Sequence, residues 1–151
     1  MHVGELRERL IGEGFSLRCC SLDETPKEET YCLVGTSTGW EVFYLERGVK
    51  RSKQEFASES DACEFFYGWL ARDPLAKQHT VAKFRDEASA RSLVERLERA
   101  GLHPELVAVP LAAGLGGTEH RVVVVGLEAR GALEGEVLGL LENRRGMQPH
   151  W

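Results

Sequence analysis

The chain has 151 residues, of which 42% are hydrophobic and 28% charged, and its 24 acidic and 19 basic side chains give a formal net charge of −5. This composition is typical of a globular chain, and it argues against disorder and against a nucleic-acid binder, whose surface would carry a basic stripe. No uncharged apolar run approaches the roughly 18 residues that a membrane helix needs, and the start has no basic, apolar leader. We therefore expect a cytoplasmic protein that is not bound to a membrane.

The first half of the chain predicts a helix, a meander of strands and a second helix. Apolar residues at helical spacing predict a short amphipathic helix over residues 3–13, and the acids around Pro26 predict an exposed irregular loop over residues 15–30. Alternating β-branched and aromatic residues between turn residues predict three strands, at residues 31–34, 40–45 and about 53–56. Together these segments predict a three-stranded antiparallel meander.

The second helix is expected over residues 58–72 and has an unusual apolar distribution. Its alanine, cysteine, aromatic and leucine residues spread around more than half of the helix circumference. Such a helix is buried on two sides. We therefore expect it to be the central packing element, with the meander on one side and the second half of the chain on another.

The second half of the chain predicts strands alternating with helices. A strand is expected at residues 79–84, a helix at 86–100 and a strand at 105–109. A glycine-rich connection leads into residues 121–125, where four consecutive valines predict a central strand covered on both faces. A last helix is expected at about residues 131–143.

A weak internal repeat marks two junctions between a strand and a helix. The segment Phe56–Ala62 reappears 28 residues later as Phe84–Ala90, with the phenylalanine, the glutamate and the last alanine in the same positions. Ser58 and Asp86 occupy equivalent places and are predicted to cap the following helices. We interpret the repeat as structural.

These elements predict an α+β fold in two units. The first, residues 1–73, is an αβββα unit, and the second, residues 78–145, is a βαββα unit of ferredoxin-like layout. We expect the two units to share one core. The valine strand and the two-sided helix leave room for a homodimer.

Residues that could carry chemistry are sparse. The thiols of Cys19, Cys20, Cys32 and Cys63 form no C-x-x-C pair and are expected to be free and structural. The five histidines show no metal-ligand spacing. Common nucleophile and phosphate-binding motifs are absent, and Cys63 lies in a predicted buried helix, where a thiolate is disfavoured. We predict no catalytic residue, metal or cofactor.

The acidic excess is confined to the N-terminal half. Residues 1–73 hold 14 acidic and 9 basic side chains, whereas residues 74–151 hold ten of each. In one interpretation the aromatic run 39–48 is a central strand of the core, and Glu46 and Arg47 form an ion pair in the turn that ends it. The other makes its exposed end, together with the acidic loop, a recognition surface that steers a basic partner. The candidate partner-binding residues are Glu24, Glu28, Glu29, Trp40, Tyr44, Glu46 and Arg47.

Three segments of the first half carry a family resemblance. They are Glu29-x-Tyr31-Cys32-Leu33, Gly39-Trp40-Glu41-Val42-Phe43-Tyr44-x-Glu46-Arg47-Gly48 and Phe56-x-Ser58-Glu59-x-x-Ala62-Cys63. In this order they resemble small immunity proteins encoded beside bacterial polymorphic toxins, over roughly residues 4–73. The resemblance implies a cytosolic protein without catalytic residues that binds one cognate toxin domain and occludes its active site.

The second half is similar in layout to ferredoxin-like βαββ units such as peptidoglycan-binding SPOR domains. Three functions therefore remain open from the sequence: a toxin-neutralising immunity protein, a cytosolic small-molecule-binding or regulatory module, and an unrecognised enzyme. A toxin gene beside this one would favour the first, and a ligand retained through purification would favour the second.

Overall fold

The computed structural model describes residues 1–112, 114 and 116–129. Its helices and its two β-sheets confirm the α+β class. The chain divides into two compact units, residues 1–77 and the residues from 78 onwards. The last helix expected from the sequence, at residues 131–143, lies outside the described residues.

The first unit is a four-stranded sheet with helices on one face. The elements are α1 (Val3–Gly12), a single 3-10 turn (Leu17–Cys19), β1 (Cys20–Leu22), β2 (Thr30–Thr36), β3 (Gly39–Glu46), β4 (Val49–Phe56) and α2 (Glu59–Leu70). The order along the sheet is β1-β2-β3-β4, in which β1 is parallel to β2 and the other pairs are antiparallel.

Two strands of this sheet differ from the sequence-based expectation. Residues 15–30 were expected to be irregular, but they contain the 3-10 turn and β1, so the unit has four strands and not three. A three-residue strand is too short to show alternation, and its partner β2 lies several residues further along the chain. β4 begins at Val49, earlier than the expected residue 53, because an exposed strand buries no face that would impose an alternating pattern.

The helix α2 is the packing centre of the first unit. It contacts β2, β3, β4 and α1. Its residues Ala62, Cys63, Phe66 and Leu70 are buried in a cluster with Leu6, Leu10, Leu33 and Val42. Within this unit, the sheet and α1 therefore cover two sides of α2, whose apolar residues spread around more than half of the helix.

The second unit contains β5 (Gln78–Phe84), α3 (Glu87–Arg99), β6 (Glu105–Pro110) and β7 (Thr118–Val125). The strand order is β5-β7-β6, and β7 is antiparallel to both neighbours. The valine run therefore forms the central strand, as predicted, and Val122, Val123 and Val124 are buried, whereas Val125 is exposed.

Most buried hydrophobic residues of the described chain fall into two clusters, one within each unit. In the first unit α1 and α2 pack on the sheet, and in the second unit α3 packs its Ala90, Leu93 and Leu97 on the sheet. Cys32, Phe43 and Val123 are also buried but belong to neither cluster, so a core shared by the two units stays a prediction.

The internal repeat is confirmed as a pair of helix caps. The Ser58 hydroxyl accepts a hydrogen bond from the backbone N–H of Asp61 at 3.1 Å, and the Asp86 carboxylate accepts one from the N–H of Ser89 at 2.8 Å. Both bonds satisfy an amide that the helix itself leaves without a partner. None of the helices in the described part of the chain is long and apolar enough to span a membrane.

Candidate functional site

The acidic loop before β2 is fastened to the turn between β3 and β4. The Gly48 N–H donates to the Glu28 carboxylate at 2.9 Å, and the Glu29 N–H donates to the Leu45 carbonyl at 2.8 Å. As a result, four of the predicted binding residues lie at one end of the first sheet: Glu28, Glu29, Glu46 and Arg47. Glu24 lies exposed in the same loop and forms an ion pair with Lys27 at 3.0 Å.

Trp40 lies at the opposite end of the sheet. It is paired with Gly35 on β2 and with Phe56 on β4, and it packs against the core. An open groove of about 470 Å³ lies beside it, lined by Thr36, Ser37, Thr38, Gly39, Trp40, Glu41, Glu55, Phe56 and Ala57. The predicted binding residues therefore do not form one site, because β3 separates Trp40 from Glu46 by its full length.

Tyr44 belongs to a continuous row of aromatic rings that we call the aromatic band. Ring centroids are 5.1 Å apart between Tyr44 and Tyr31, and 4.9 Å apart between Tyr31 and Trp69. Phe65 continues the row at 6.1 Å from Trp69 and lies 5.2 Å from Phe56. Tyr31, Tyr44, Trp69 and Phe56 are half-buried, and Phe65 is 39% exposed. The band is thus a partly open surface.

Sequence reasoning assigned most of this band to the core. Phe65 and Trp69 are four residues apart and therefore share one stripe of α2, next to the buried stripe of Phe66 and Leu70. That spacing was the one available signal. Their meeting with Tyr31 depends on how α2 packs across the sheet, which local periodicity does not encode.

Carboxylates surround the two tyrosines of the band. The Tyr31 hydroxyl donates to the Asp73 carboxylate at 3.0 Å, and burial together with this carboxylate raises the pKa of Tyr31 to about 12. Burial, followed by the charges of Glu29, Glu46 and Asp73, also raises the pKa of Tyr44. The rings therefore lie in a negative electrostatic field.

We expect Asp73→Asn to lower the pKa of Tyr31 toward its ordinary value of 10 without reaching it, because burial, the largest single cause of the raised pKa, is still present. The pKa of Tyr31 would be measured from its ring-carbon NMR shifts over a titration from about pH 8 to about pH 13, a range that includes the ordinary tyrosine pKa. Since the folded state holds this proton more tightly, Tyr31 stabilises the fold below its unfolded pKa and loses that contribution as pH rises through its folded pKa. Asp61→Asn is the matched control and should leave Tyr31 unchanged; an equal shift in both variants would contradict the assignment.

The thiols are held in the interior of the first unit. All four are free, with Cys20, Cys32 and Cys63 buried and Cys19 half-buried. Burial and the neighbouring Glu59 charge raise the pKa of Cys63 to about 11, which disfavours the thiolate that a nucleophile requires. Across the described residues, no group of three or more histidine, cysteine or acidic side chains is placed to hold a metal ion.

Compared with protein-family models, curated proteins and solved structures, the chain matches none of them. The candidate site therefore rests on its own geometry.

Proposed function

We propose that this chain is a cytoplasmic immunity protein that neutralises a cognate bacterial toxin domain by tight stoichiometric binding. One observation carries the proposal: the carboxylates of Glu28, Glu29 and Glu46 are gathered at the sheet end where the half-exposed Tyr44 begins the aromatic band. Aromatic anchors beside clustered charge are typical of protein-binding surfaces.

The two features serve different steps of binding. Exposed carboxylates speed the encounter with a basic partner through long-range attraction, and they do so more strongly at low salt. Half-exposed aromatic rings supply apolar area that is buried once the partner has docked. An interface that protects a cell would bury about 1,600 Å² in total and would cover the active site of the toxin.

The test is a titration of toxin activity against the purified chain. The toxin domain would come from the C-terminus of a large secreted protein encoded beside this gene. We expect activity to fall in proportion to added protein and to vanish at one copy per toxin. Protection at far less than one copy per toxin, or cell death despite abundant folded protein, would contradict stoichiometric immunity.

A specific observation favours a second function, a small-molecule-binding or regulatory module. The groove beside Trp40 has a volume of about 470 Å³, within the usual range for ligand pockets. Its hydroxyls from Thr36 and Thr38 and its carboxylates from Glu41 and Glu55 suit a small polar molecule. Glu41 is held there by Lys50 and Lys53, at 2.6 and 2.9 Å. A molecule that remains bound in native mass spectrometry and is lost in Thr38→Val would support this alternative.

A further inference from the structure

Part of the first sheet lies beyond the cover of the helices. Directly opposed residues of antiparallel strands share a face. Val42, Tyr44 and Glu46 of β3 are opposed to Gln54, Arg51 and Val49 of β4, and Val42 belongs to the core cluster under α2. All three residues on β4 are nevertheless exposed. We call this area the open face; it comprises Tyr44, Glu46, Val49, Arg51 and Gln54.

The open face is bordered by apolar side chains. In the first unit, whose residues are all described, Val49, Phe65 and Leu75 are the exposed large hydrophobic residues. Val49 lies on the open face opposite Glu46 and is 48% exposed, whereas Phe65 packs on Phe56 at the other end of β4 and is linked to the face through the aromatic band. Exposed apolar groups on a face and along its border are typical of a docking site.

The charges around the open face indicate that the partner is positively charged. Glu29, Glu46 and Asp73 are the charges that act most on the Tyr44 hydroxyl. Arg51, which is paired with Tyr44, is the cation on this face. Its side chain lies 3.4 Å from the Glu46 carboxylate, and both side chains are about half exposed to water. Such an exposed pair is weak, so an incoming cation can replace Arg51 at Glu46 at little cost.

The edge of β4 is protected against a partner strand. The pairing of β3 with β4 shifts register between Val42 and Tyr44, and Ser52 in this region has a φ of 52°. Lys53 lies within this bulge, next to Ser52, and Lys50 precedes it on β4. Bulges and lysines are the usual devices that prevent strand addition at an edge. The sheet face is therefore better suited than the edge to receive a partner.

We infer that the open face docks a basic segment of the toxin domain, with an arginine of that segment stacked on the ring of Tyr44 and its guanidinium directed at Glu46 and Asp73. Arginine fits because its planar group both stacks on aromatic rings and bonds carboxylates through two donors. This inference rests on the proposed function and adds the surface and the chemistry of the partner.

The first experiment measures toxin affinity for charge variants of the full chain. Glu46→Lys is expected to weaken binding about 30-fold or more, the effect of losing a main anchor. Glu8→Lys, on the exposed side of α1, makes the same charge change elsewhere and should weaken binding less than about threefold. Equal losses in the two variants would overturn the docking surface.

Phe65 gives a second test at one position. Phe65→Lys and Phe65→Glu both remove the ring from an exposed site, so both variants should fold. Lysine adds repulsion against a basic segment, whereas glutamate adds attraction, and we expect the lysine variant to bind about tenfold or more weakly than the glutamate variant. The reverse order would show that the partner is acidic at this point.

A third measurement does not need the toxin. An oligoarginine peptide titrated into the labelled chain should shift the NMR signals of Tyr44, Phe65 and the Trp69 indole, and the shifts should be lost in Glu46→Lys and kept in Glu8→Lys. Shifts spread over all acidic residues would overturn the site. Peptide binding here without toxin neutralisation would leave the surface standing and refute the proposed function, whereas full neutralisation by Glu46→Lys and Phe65→Lys would refute the surface alone.

Discussion

Replacing Phe66 by alanine is expected to lower the free energy of unfolding of the first unit by about 3 to 5 kcal/mol. The Phe66 side chain has no exposed surface and lies in the cluster that joins α1, α2 and the sheet. Alanine would remove its buried apolar area and leave a cavity among Leu6, Leu33 and Val42 that close-packed neighbours fill only in part.

The adjacent residue gives a matched control. Phe65→Ala makes the same chemical change on the same helix, but Phe65 is 39% exposed. The decrease in unfolding free energy should be clearly smaller for Phe65→Ala, about 1 kcal/mol, because an exposed site leaves no enclosed cavity. The unfolding free energies of both variants can be measured by hydrogen exchange of first-unit amides at increasing urea concentrations. Similar losses in the two variants would mean that α2 is peripheral to the core.

Replacing Gly39 by alanine is expected to cost about 3 kcal/mol of folding free energy. Gly39 begins β3 with a φ of 156°, and a Cβ there would lie 2.3 Å from the Phe56 carbonyl oxygen. The obstacle is backbone, so β4 would have to move away from β3 near the paired residues Trp40 and Phe56.

Gly48→Ala separates this clash from simple backbone strain. Gly48 also has a positive φ, 73°, but a Cβ there would meet nothing within 4 Å. We expect it to cost only about 1 kcal/mol, the strain of a left-handed residue. Thermal unfolding of the two variants is the measurement. A loss in Gly39→Ala no greater than in Gly48→Ala would show that the strands accommodate the added methyl group.

The fold brings some of the predicted site residues together and separates others. Glu28, Glu29, Glu46 and Arg47 do lie together at one end of the first sheet, because the Gly48 N–H donates to the Glu28 carboxylate and the Glu29 N–H donates to the Leu45 carbonyl. Trp40 lies at the other end. The residues that the sequence did not single out were Tyr31, Phe65, Trp69 and Asp73, which join Tyr44 in the aromatic band and its rim.

The elements themselves were predictable to different degrees. The hairpin of β2 and β3 and the helices α2 and α3 follow from local signals: alternation, helical spacing and the capping residues Ser58 and Asp86. β1 was missed because three residues carry no period, and the first part of β4 was missed because an edge strand buries no face. In both cases the strand exists through pairing with a neighbour.

Local sequence signals were enough to predict the α+β class, the strand-to-helix junctions and the acidic character of the N-terminal half, since each depends on residues near one another in the chain. Packing between distant elements decides instead that residues 49–55 of β4 stay exposed although α2 contacts that strand, and that Tyr31, Tyr44 and Trp69 meet beside Asp73. Local periodicity states which side of a helix or strand is apolar. Which partly apolar sides meet, and which stay open, depends on packing between elements that are distant in the chain.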